Sequence, residues 1–419
     1  FELITRNTAG SNNLFTNFTS LSSSSNKSSY YGYVNYKKGD GFRPNSEFES
    51  INTFQNFNYD LNEKSKITGE ITYMEYLAHQ AGGLSDFMFA NDPFQSNRER
   101  NWFEIKWFLY NLKYLLEISE NSSFSFSFFG LDAKRNSLGF RTNRVDQIDY
   151  GEERDLIKGD FKNFGFESRY LTNHSFFNTK SYLLLGVKYY NSYSQSVQGP
   201  GSSSKDANFN FDYVNFPNYV NQSEYNYPNN NLAIFGENIF YINEKLSITP
   251  GFRFENISTS LDGFYRKINL DAAGNTIYNE RFDEKDTKKR KFLLLGLGLS
   301  YKNQGFEIYT NFSQNFRSVT FADISIINPS YAINPSIDDE KGFTFDLGLR
   351  GNYKKIVSFD SSIFALIYRD RIGFIQKAFR DGNVKSERGN VGNAQITGIE
   401  SLFDFDVNEI LFKNDNLDF

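Results

Sequence analysis

The sequence predicts an all-β protein, a transmembrane antiparallel β-barrel, from its two-residue alternation, its aromatic content and the rhythm of its connections. The clearest alternation covers residues 124–128, where three Phe residues interleave with Ser125 and Ser127. Four further segments show the same pattern: residues 246–255, 295–301, 306–313 and 343–350. Because successive side chains of a strand point to opposite sides, each segment has one apolar and one polar face. A membrane barrel turns the apolar face to lipid, whereas a soluble sandwich buries it against a second sheet.

Aromatic residues are the second observation. The 419 residues include 46 Phe and 27 Tyr, more than a packed interior usually uses. Aromatic belts at the two membrane interfaces would accommodate them. The sequence contains no apolar run of 18 residues, so helices are not predicted to span a membrane. Barrel strands need only about 9 to 11 residues with alternate positions apolar.

Composition excludes several classes of function. The chain has no Cys and 2 His, which leaves no thiolate metal site, disulfide framework or histidine cluster. A formal net charge of −5 with interspersed signs argues against a nucleic-acid partner, which would require a basic face. No Ser, His and Asp set is arranged for catalysis. We therefore expect no enzymatic activity, no cofactor and no metal bound directly by the chain.

The connections are the third observation, because short and long ones alternate as at the two ends of an outer-membrane barrel. Short turns are predicted at residues 24–27, 62–65, 120–123, 243–245, 303–305 and 353–355. Long connections are predicted at residues 80–101, 138–155, 194–230, 262–289, 320–341 and 377–389. With a first strand over residues 2–8, these markers predict about 16 strands, and a possible seventeenth begins near Asp415.

Five segments together resemble TonB-dependent outer-membrane receptors, most closely the ferric citrate branch. The most specific is residues 81–103, AGGLSDFMFANDPFQSNRERNWF, which is similar to a third outer loop with Gly-Gly-Leu-Ser followed by Ser-x-Arg. The other four are residues 1–10, 36–45 (YKKGDGFRPN), 235–255 (FGENIFYINEKLSITPGFRFE) and 390–400 (NVGNAQITGIE).

The resemblance implies a barrel domain over residues 1–419 that is truncated at both ends. About 16 of the family's 22 strands would be present, with the plug domain missing before residue 1 and closing strands missing after residue 419. It also implies a receptor and importer of a ferric chelate, ferric citrate or a related siderophore, in the outer membrane of a Gram-negative bacterium. The implied partners are TonB with ExbB and ExbD, through the missing N-terminal region, and membrane lipid and lipopolysaccharide.

Three residues match ligand-binding positions of the family: Arg135, Arg154 and Gln376. A guanidinium can grip a carboxylate with two parallel hydrogen bonds, which suits a citrate-like anion. An arginine near a strand end can instead pair with neighbouring acids, and Gln376 can instead bond within the lumen wall. The family's further arginine in the fifth outer loop has no counterpart, since no Arg occurs in residues 170–252.

A second group is expected to support the third outer loop rather than to bind ligand. Its members are Gly82, Gly83, Ser85, Arg98 and Arg100. Three other functions remain open from the residues: a passive porin or other β-barrel channel, a soluble β-rich binding protein or adhesin, and an outer-membrane hydrolase. The alternating apolar faces would pack against each other in the soluble alternative and would face lipid in the others.

Overall fold

Seventeen strands form one sheet in the computed structural model, which describes residues 1–142, 145–176, 178–320, 331–334, 336–354, 356–379 and 384–407. The strands are β1 (Glu2–Ala9), β2 (Phe15–Ser24), β3 (Ser28–Gly39), β4 (Phe48–Asn62), β5 (Ser65–His79), β6 (Trp102–Ser119), β7 (Ser122–Gly139), β8 (Arg154–Phe176), β9 (Thr179–Gly201), β10 (Asn221–Tyr241), β11 (Leu246–Leu270), β12 (Thr276–Asn303), β13 (Phe306–Arg317), β14 (Tyr331–Ile333), β15 (Glu340–Tyr353), β16 (Val357–Ala378) and β17 (Val384–Phe405). A short helix, α1 (Asp86–Asn91), lies between β5 and β6.

Each strand from β1 to β12 pairs antiparallel with the next, β13 pairs antiparallel with β15, and the meander continues through β16 and β17. The three-residue β14 instead lies parallel to β17. No register joins β1 to β17 among the described residues, so the sheet is a barrel wall that is incomplete there. No plug-like domain lies within the described part of the chain. This architecture confirms the predicted all-β barrel fold.

The connections separate the barrel into two ends. Each of the six short turns falls at the predicted place, and a seventh, at Asn178, links β8 to β9 where none was predicted. The opposite end carries residues 80–101, 140–142, 145–153 and 202–220, and we refer to it as the outer end.

Alternate side chains of β12 show which side of the wall is apolar. Leu293, Leu295, Leu297 and Leu299 lie on one side and expose 53%, 51%, 43% and 38% of their surface. No second sheet covers them in the described structure, so the apolar side is not packed as a soluble sandwich would require. We call this side the outward face. Among the described residues, no helix is long and apolar enough to cross a membrane.

Three of the predicted long connections are shorter than expected, because the strands continue beyond the apolar band. Residues 262–289 were predicted as a loop, but β11 and β12 run on as a hairpin that turns at residues 271–275. Similarly, β9 extends to Gly201, β10 begins at Asn221, and β16 and β17 reach residues 378 and 384. Half of residues 320–341 and the possible strand near Asp415 lie outside the described residues.

A small apolar cluster holds these extensions together. Tyr225 of β10 and Leu261 of β11 expose 1% and 4% of their surface, and Tyr227 and Tyr265 pack against them. The Tyr225 hydroxyl donates to Glu284 Oε2 of β12 at 2.7 Å. The extensions are thus a packed three-stranded unit beyond the apolar band, and they wall the site described next.

Candidate functional site

A cavity of about 490 Å³ lies on the side of the wall opposite the outward face, at the outer half of β7 to β11. Apart from Gln195, the strand residues that line it alternate along each strand, and the segment 318–320 closes one side. Its lining residues are Arg135, Ile157, Gly159, Phe161, Tyr190, Ser192, Ser194, Gln195, Ser196, Tyr227, Asn229, Asn231, Ile257, Thr259, Ser318, Val319 and Thr320. We call it the lumen cavity.

Arg135 is the one charged residue among the described residues that line the lumen cavity. It lies opposite Gly159 in the register of β7 and β8, so its side chain has no bulky cross-strand neighbour there. Its guanidinium carbon lies 5.7 Å from the centre of the Phe161 ring, within the range of a cation–π contact. The side chain of Arg135 therefore faces the lumen cavity.

Two asparagines of β10 add hydrogen-bond acceptors to the same cavity. The side-chain oxygens of Asn229 and Asn231 are shielded from solvent and have no hydrogen-bond partner in the described structure. Buried polar atoms are nearly always satisfied, so such atoms in a cavity wall indicate a place for water or for ligand donors. Sequence reasoning missed both residues. In the sequence, Asn229 and Asn231 alternate with Asn230 and Leu232, and this two-residue spacing was the available signal that both side chains lie on the same face of the strand.

A buried ion pair anchors the segment that closes the cavity. Arg290 Nε donates to the two oxygens of Asp339 at 2.7 and 2.8 Å, and its remaining groups reach Thr259 Oγ1 and the Val319 carbonyl. Asp339 also accepts from the Val319 amide at 2.7 Å. Asp339 is thus buried beside a cation.

The structure places Arg154 away from the lumen cavity. Its surface is fully buried, and all five of its N–H groups have acceptors within 3.0 Å. Three acceptors are the carbonyls of Arg100, Ser202 and Asp206, and the others are the hydroxyls of Ser202 and Ser204. A ligand could bind this guanidinium only after the connection 202–220 moved away from it.

Arg98 and Arg100 fasten the connection 80–101 to the next one along the chain. Arg98 donates to the carbonyls of Val145 and Gln147. Arg100 Nε donates to Asp149 Oδ2 at 2.9 Å, and its Nη1 reaches carbonyls of residues 152 and 203. Burial raises the pKa of Asp149, but bonds from Arg100 and the Gly151 amide outweigh it and hold that pKa below its usual value. We call the side chains of Arg98, Arg100 and Arg154 with their acceptors the loop latch.

The remaining third-loop residues have distinct positions. Gly82 has φ +78°, and a Cβ there would lie 2.1 Å from Asn97 Oδ1, so the latch leaves room for glycine alone. Gly83 is exposed, and a Cβ there would have only Val145 nearby, at 3.9 Å. Ser85 caps α1, accepting from the Met88 amide at 3.3 Å.

Gln376 lies near the outer end of β16, outside the lining of the lumen cavity. It is exposed, and its Nε2 donates to Ser386 Oγ of β17 at 2.8 Å. Thus, of the three sequence-predicted ligand residues, the structure places Arg135 in the cavity, buries Arg154 in the loop latch and leaves Gln376 on the wall. Within the described residues, no group of three His, Cys, Asp or Glu side chains could hold a metal ion.

Residues 3–416 match the family described as "TonB dependent receptor-like, beta-barrel". The chain therefore belongs to this family of TonB-dependent receptor barrels. No curated protein matches the chain.

Solved structures of transporters share the fold. The ferric citrate transporter FecA in its unliganded form superposes with a TM-score of 0.72 at 15% identity, over 98% of this chain and 56% of that one. The siderophore receptor PiuA from Acinetobacter baumannii has a TM-score of 0.73 at 12% identity, over 95% and 60%. The copper transporter OprC has a TM-score of 0.70 at 15% identity, over 97% and 59%. The chain spans about three fifths of the length of these structures, and at such identities the similarity shows the fold alone.

Proposed function

We propose that this chain is the barrel of an outer-membrane receptor that imports a ferric chelate, with ferric citrate or a related hydroxycarboxylate siderophore as cargo. The observation that carries the proposal is the lumen cavity, which joins one arginine to neutral hydroxyl, amide and aromatic groups. No Asp, Glu, His, Cys or Met lines it among the described residues, so it offers a bare metal cation no usual ligand set.

The cavity chemistry suits an anionic chelate that brings its own metal ligands. Arg135 would bind a carboxylate oxygen of the chelate through its planar donors. Asn229 and Asn231 would accept hydrogen bonds from hydroxyl groups or coordinated water on the chelate, which would satisfy their unpartnered oxygens. Phe161 would pack against the arginine and limit the water that competes for it. A copper ion, the cargo named for OprC, lacks the negative charge that Arg135 would recognise.

We assign Arg154 with Arg98, Arg100, Gly82, Gly83 and Ser85 to shaping the mouth above the cavity. Their bonds join three outer connections into one body, which sets the width of the entry path. Gln376 would meet the chelate only if it approaches along β16 and β17.

The rest of the transport cycle would depend on segments outside this chain. A plug domain in the lumen would complete the ligand site, and TonB with ExbB and ExbD would pull on that plug to release the chelate inward. The outer membrane of a Gram-negative bacterium is the corresponding location, where the exposed leucines of β12 would contact lipid. A passive porin would share the wall but would lack the plug.

Equilibrium binding to the full-length receptor in detergent tests the proposal, with ferric citrate as ligand and iron-free citrate as the reference. We expect iron-dependent binding that Arg135→Gln weakens by roughly 10- to 100-fold, since a hydrogen bond to a charged group contributes about 1.5–3 kcal/mol.

Arg141→Gln is the matched control, because Arg141 is a half-exposed arginine of the outer end whose contact with Asp155 is 3.9 Å long. It should change the affinity by less than about twofold. Binding that does not depend on iron, or equal losses in the two variants, would contradict the proposed role of Arg135. No binding by a folded wild-type receptor would exclude ferric citrate as the cargo.

A further inference from the structure

Both ring nitrogens of His79, at the outer end of β5, lie against hydrogen-bond acceptors. Nδ1 is 2.9 Å from Glu47 Oε2, and Nε2 is 2.8 Å from the carbonyl oxygen of Glu99. The His79 side chain exposes 11% of its surface, so little of the ring meets solvent. A neutral imidazole carries one N–H, so it donates to one of these acceptors and turns a lone pair toward the other. The doubly protonated ring alone forms both bonds.

The same ring stacks on an indole. The centres of the His79 and Trp102 rings are 4.0 Å apart, and the two ring planes differ by 13°. A positive charge over the face of an indole is attracted by the ring quadrupole, so this contact also favours the charged imidazole. Trp102 Nε1 donates to the Lys205 carbonyl at 2.8 Å, which ties the stacked pair to the connection 202–220.

The ionic partner of the ring is Glu47, in the connection 40–47 between β3 and β4. Its side chain is half exposed, and its backbone carbonyl also accepts from the His79 amide at 2.8 Å. Burial raises the pKa of Glu47, but hydrogen bonds from its own amide and from His79 outweigh burial and hold that pKa below its usual value. The carboxylate is therefore ionised at neutral pH, and the strength of the link depends on the charge of the ring.

The other charged groups near His79 have partners of their own. The Glu99 carboxylate accepts from Lys205 Nζ at 2.6 Å, so the carbonyl of Glu99 is the group that faces the ring. Asp149 lies near Glu99 and is paired within the loop latch. These groups do not compete for the imidazole in the described structure.

We propose that His79 is a proton-dependent link that joins the connections 40–47, 80–101 and 202–220 when its imidazole is charged. When these connections separate, the ring meets water and makes neither bond, so closure favours the protonated ring. The stabilisation of the closed connections is present at acidic pH. It is lost as the pH rises through the range in which histidine releases its proton, roughly pH 5 to 8. The mouth above the lumen cavity is thus held more tightly in an acidic medium, whatever the cargo.

Hydrogen–deuterium exchange of the full-length receptor in detergent tests the link, from about pH 5.5 to about pH 8. Each exchange rate is divided by the intrinsic chemical rate at the same pH. H79Q cannot gain a charge, and E47Q removes the ionic partner but keeps the ring. H174Q is the matched control, because His174 is the other histidine of this chain and lies near the inner end of β8.

The reporters are the amides of His79 and Gln80, which donate to the carbonyls of Glu47 and Asn101 at 2.8 Å. In the wild type we expect their corrected exchange to accelerate by about fivefold across this pH range, the upper end for an ion pair with a half-exposed partner. In H79Q and E47Q the corrected rate should change by less than about twofold with pH. H174Q should follow the wild type.

Three results would overturn the proposal: a corrected wild-type rate that does not change with pH, the wild-type pH dependence in H79Q or E47Q, or loss of that dependence in H174Q. Unchanged protection of the β12 amides shows that a variant barrel still folds. If H79Q does not fold, E47Q decides the question, because it retains the imidazole and its stacking on Trp102.

Discussion

Replacing Arg154 by Met should open the outer loops without unfolding the barrel. The substitution keeps the apolar stem of the side chain but removes five donors, so three backbone carbonyls lose these hydrogen bonds and the hydroxyls of Ser202 and Ser204 each accept one fewer. Five bonds at about 1 kcal/mol each give roughly 5 kcal/mol. Removing one partner from a buried charged network costs about 3–5 kcal/mol. We take about 3 kcal/mol as the lower bound for the loss of loop stability.

Hydrogen–deuterium exchange of residues 202–220 measures this loss directly. A loss of 3 kcal/mol corresponds to a roughly 150-fold increase in the open population, and exchange should accelerate by the same factor. The amide of Asp212, bonded to the Pro200 carbonyl at 2.8 Å, is a suitable reporter in this connection. Amides of β12 should keep their protection, because Arg154 makes no contact with that strand in the described structure.

Arg141→Met is the matched control, because it removes an arginine that is 47% exposed and whose one ion pair among the described residues is a long contact with Asp155. It should change exchange by less than about threefold. The reasoning would be refuted if Arg154→Met left residues 202–220 protected, or if the control accelerated their exchange equally.

Three further changes test the latch and the wall. Acidification should loosen the latch. Because the pKa of Asp149 is lowered, its ion pair stabilises the loops above the ordinary carboxyl pKa of about 4 and loses that effect as the pH falls through the lowered value. Faster loop exchange already at pH 6 would contradict this reasoning. Gly82→Ala should disrupt the latch by more than Gly151→Ala. Gly151 has a similar positive φ, but a Cβ there would meet open space. Equal loop exchange rates in the two variants would show that the close approach of Asn97 to Gly82 is unimportant. Leu297→Lys should lower barrel stability in lipid by about 2–4 kcal/mol, measured by urea unfolding. Thr249→Lys, on the opposite face, should lower it much less. The reverse order would contradict the assignment of the outward face to lipid.

The parts of the fold that lie within the apolar band were predictable from sequence. Leu293 to Leu299 alternate with residues of the lumen side, because one side of the strand is selected for apolar contact and the other is not. Beyond the band, both sides of β11 mix apolar and polar residues, with Phe264 and Ile268 on one side and Tyr265 on the other, so residues 262–289 carry no two-residue signal. Their pairing depends on contacts between strands, such as Lys285 with Asp262 and Arg281 over the Phe264 ring, which a single sequence does not reveal.

A residue of the site could be predicted from sequence where its side chain matched a known position of the family. It could not be predicted where burial by distant parts of the chain decides the role of that side chain. Arg135 and Arg154 look equivalent in sequence, since each lies at the outer end of a strand. They differ because Ser202, Ser204 and Asp206, about 50 residues further along the chain, fold back over Arg154 alone. The acceptors of Asn229 and Asn231 became recognisable only when the register placed them in the same cavity as Arg135.

The central claim is that the wall has a lipid-contacting outward face and a lumen face that holds the ligand site. A nitroxide scan tests it most directly, with single cysteines at residues 293–300 of a chain that contains no Cys. In membranes, oxygen accessibility should alternate with a period of two, high at residues 293, 295, 297 and 299 and low at residues 294, 296, 298 and 300. Uniform accessibility along the segment, or an alternation of the opposite phase, would contradict the account.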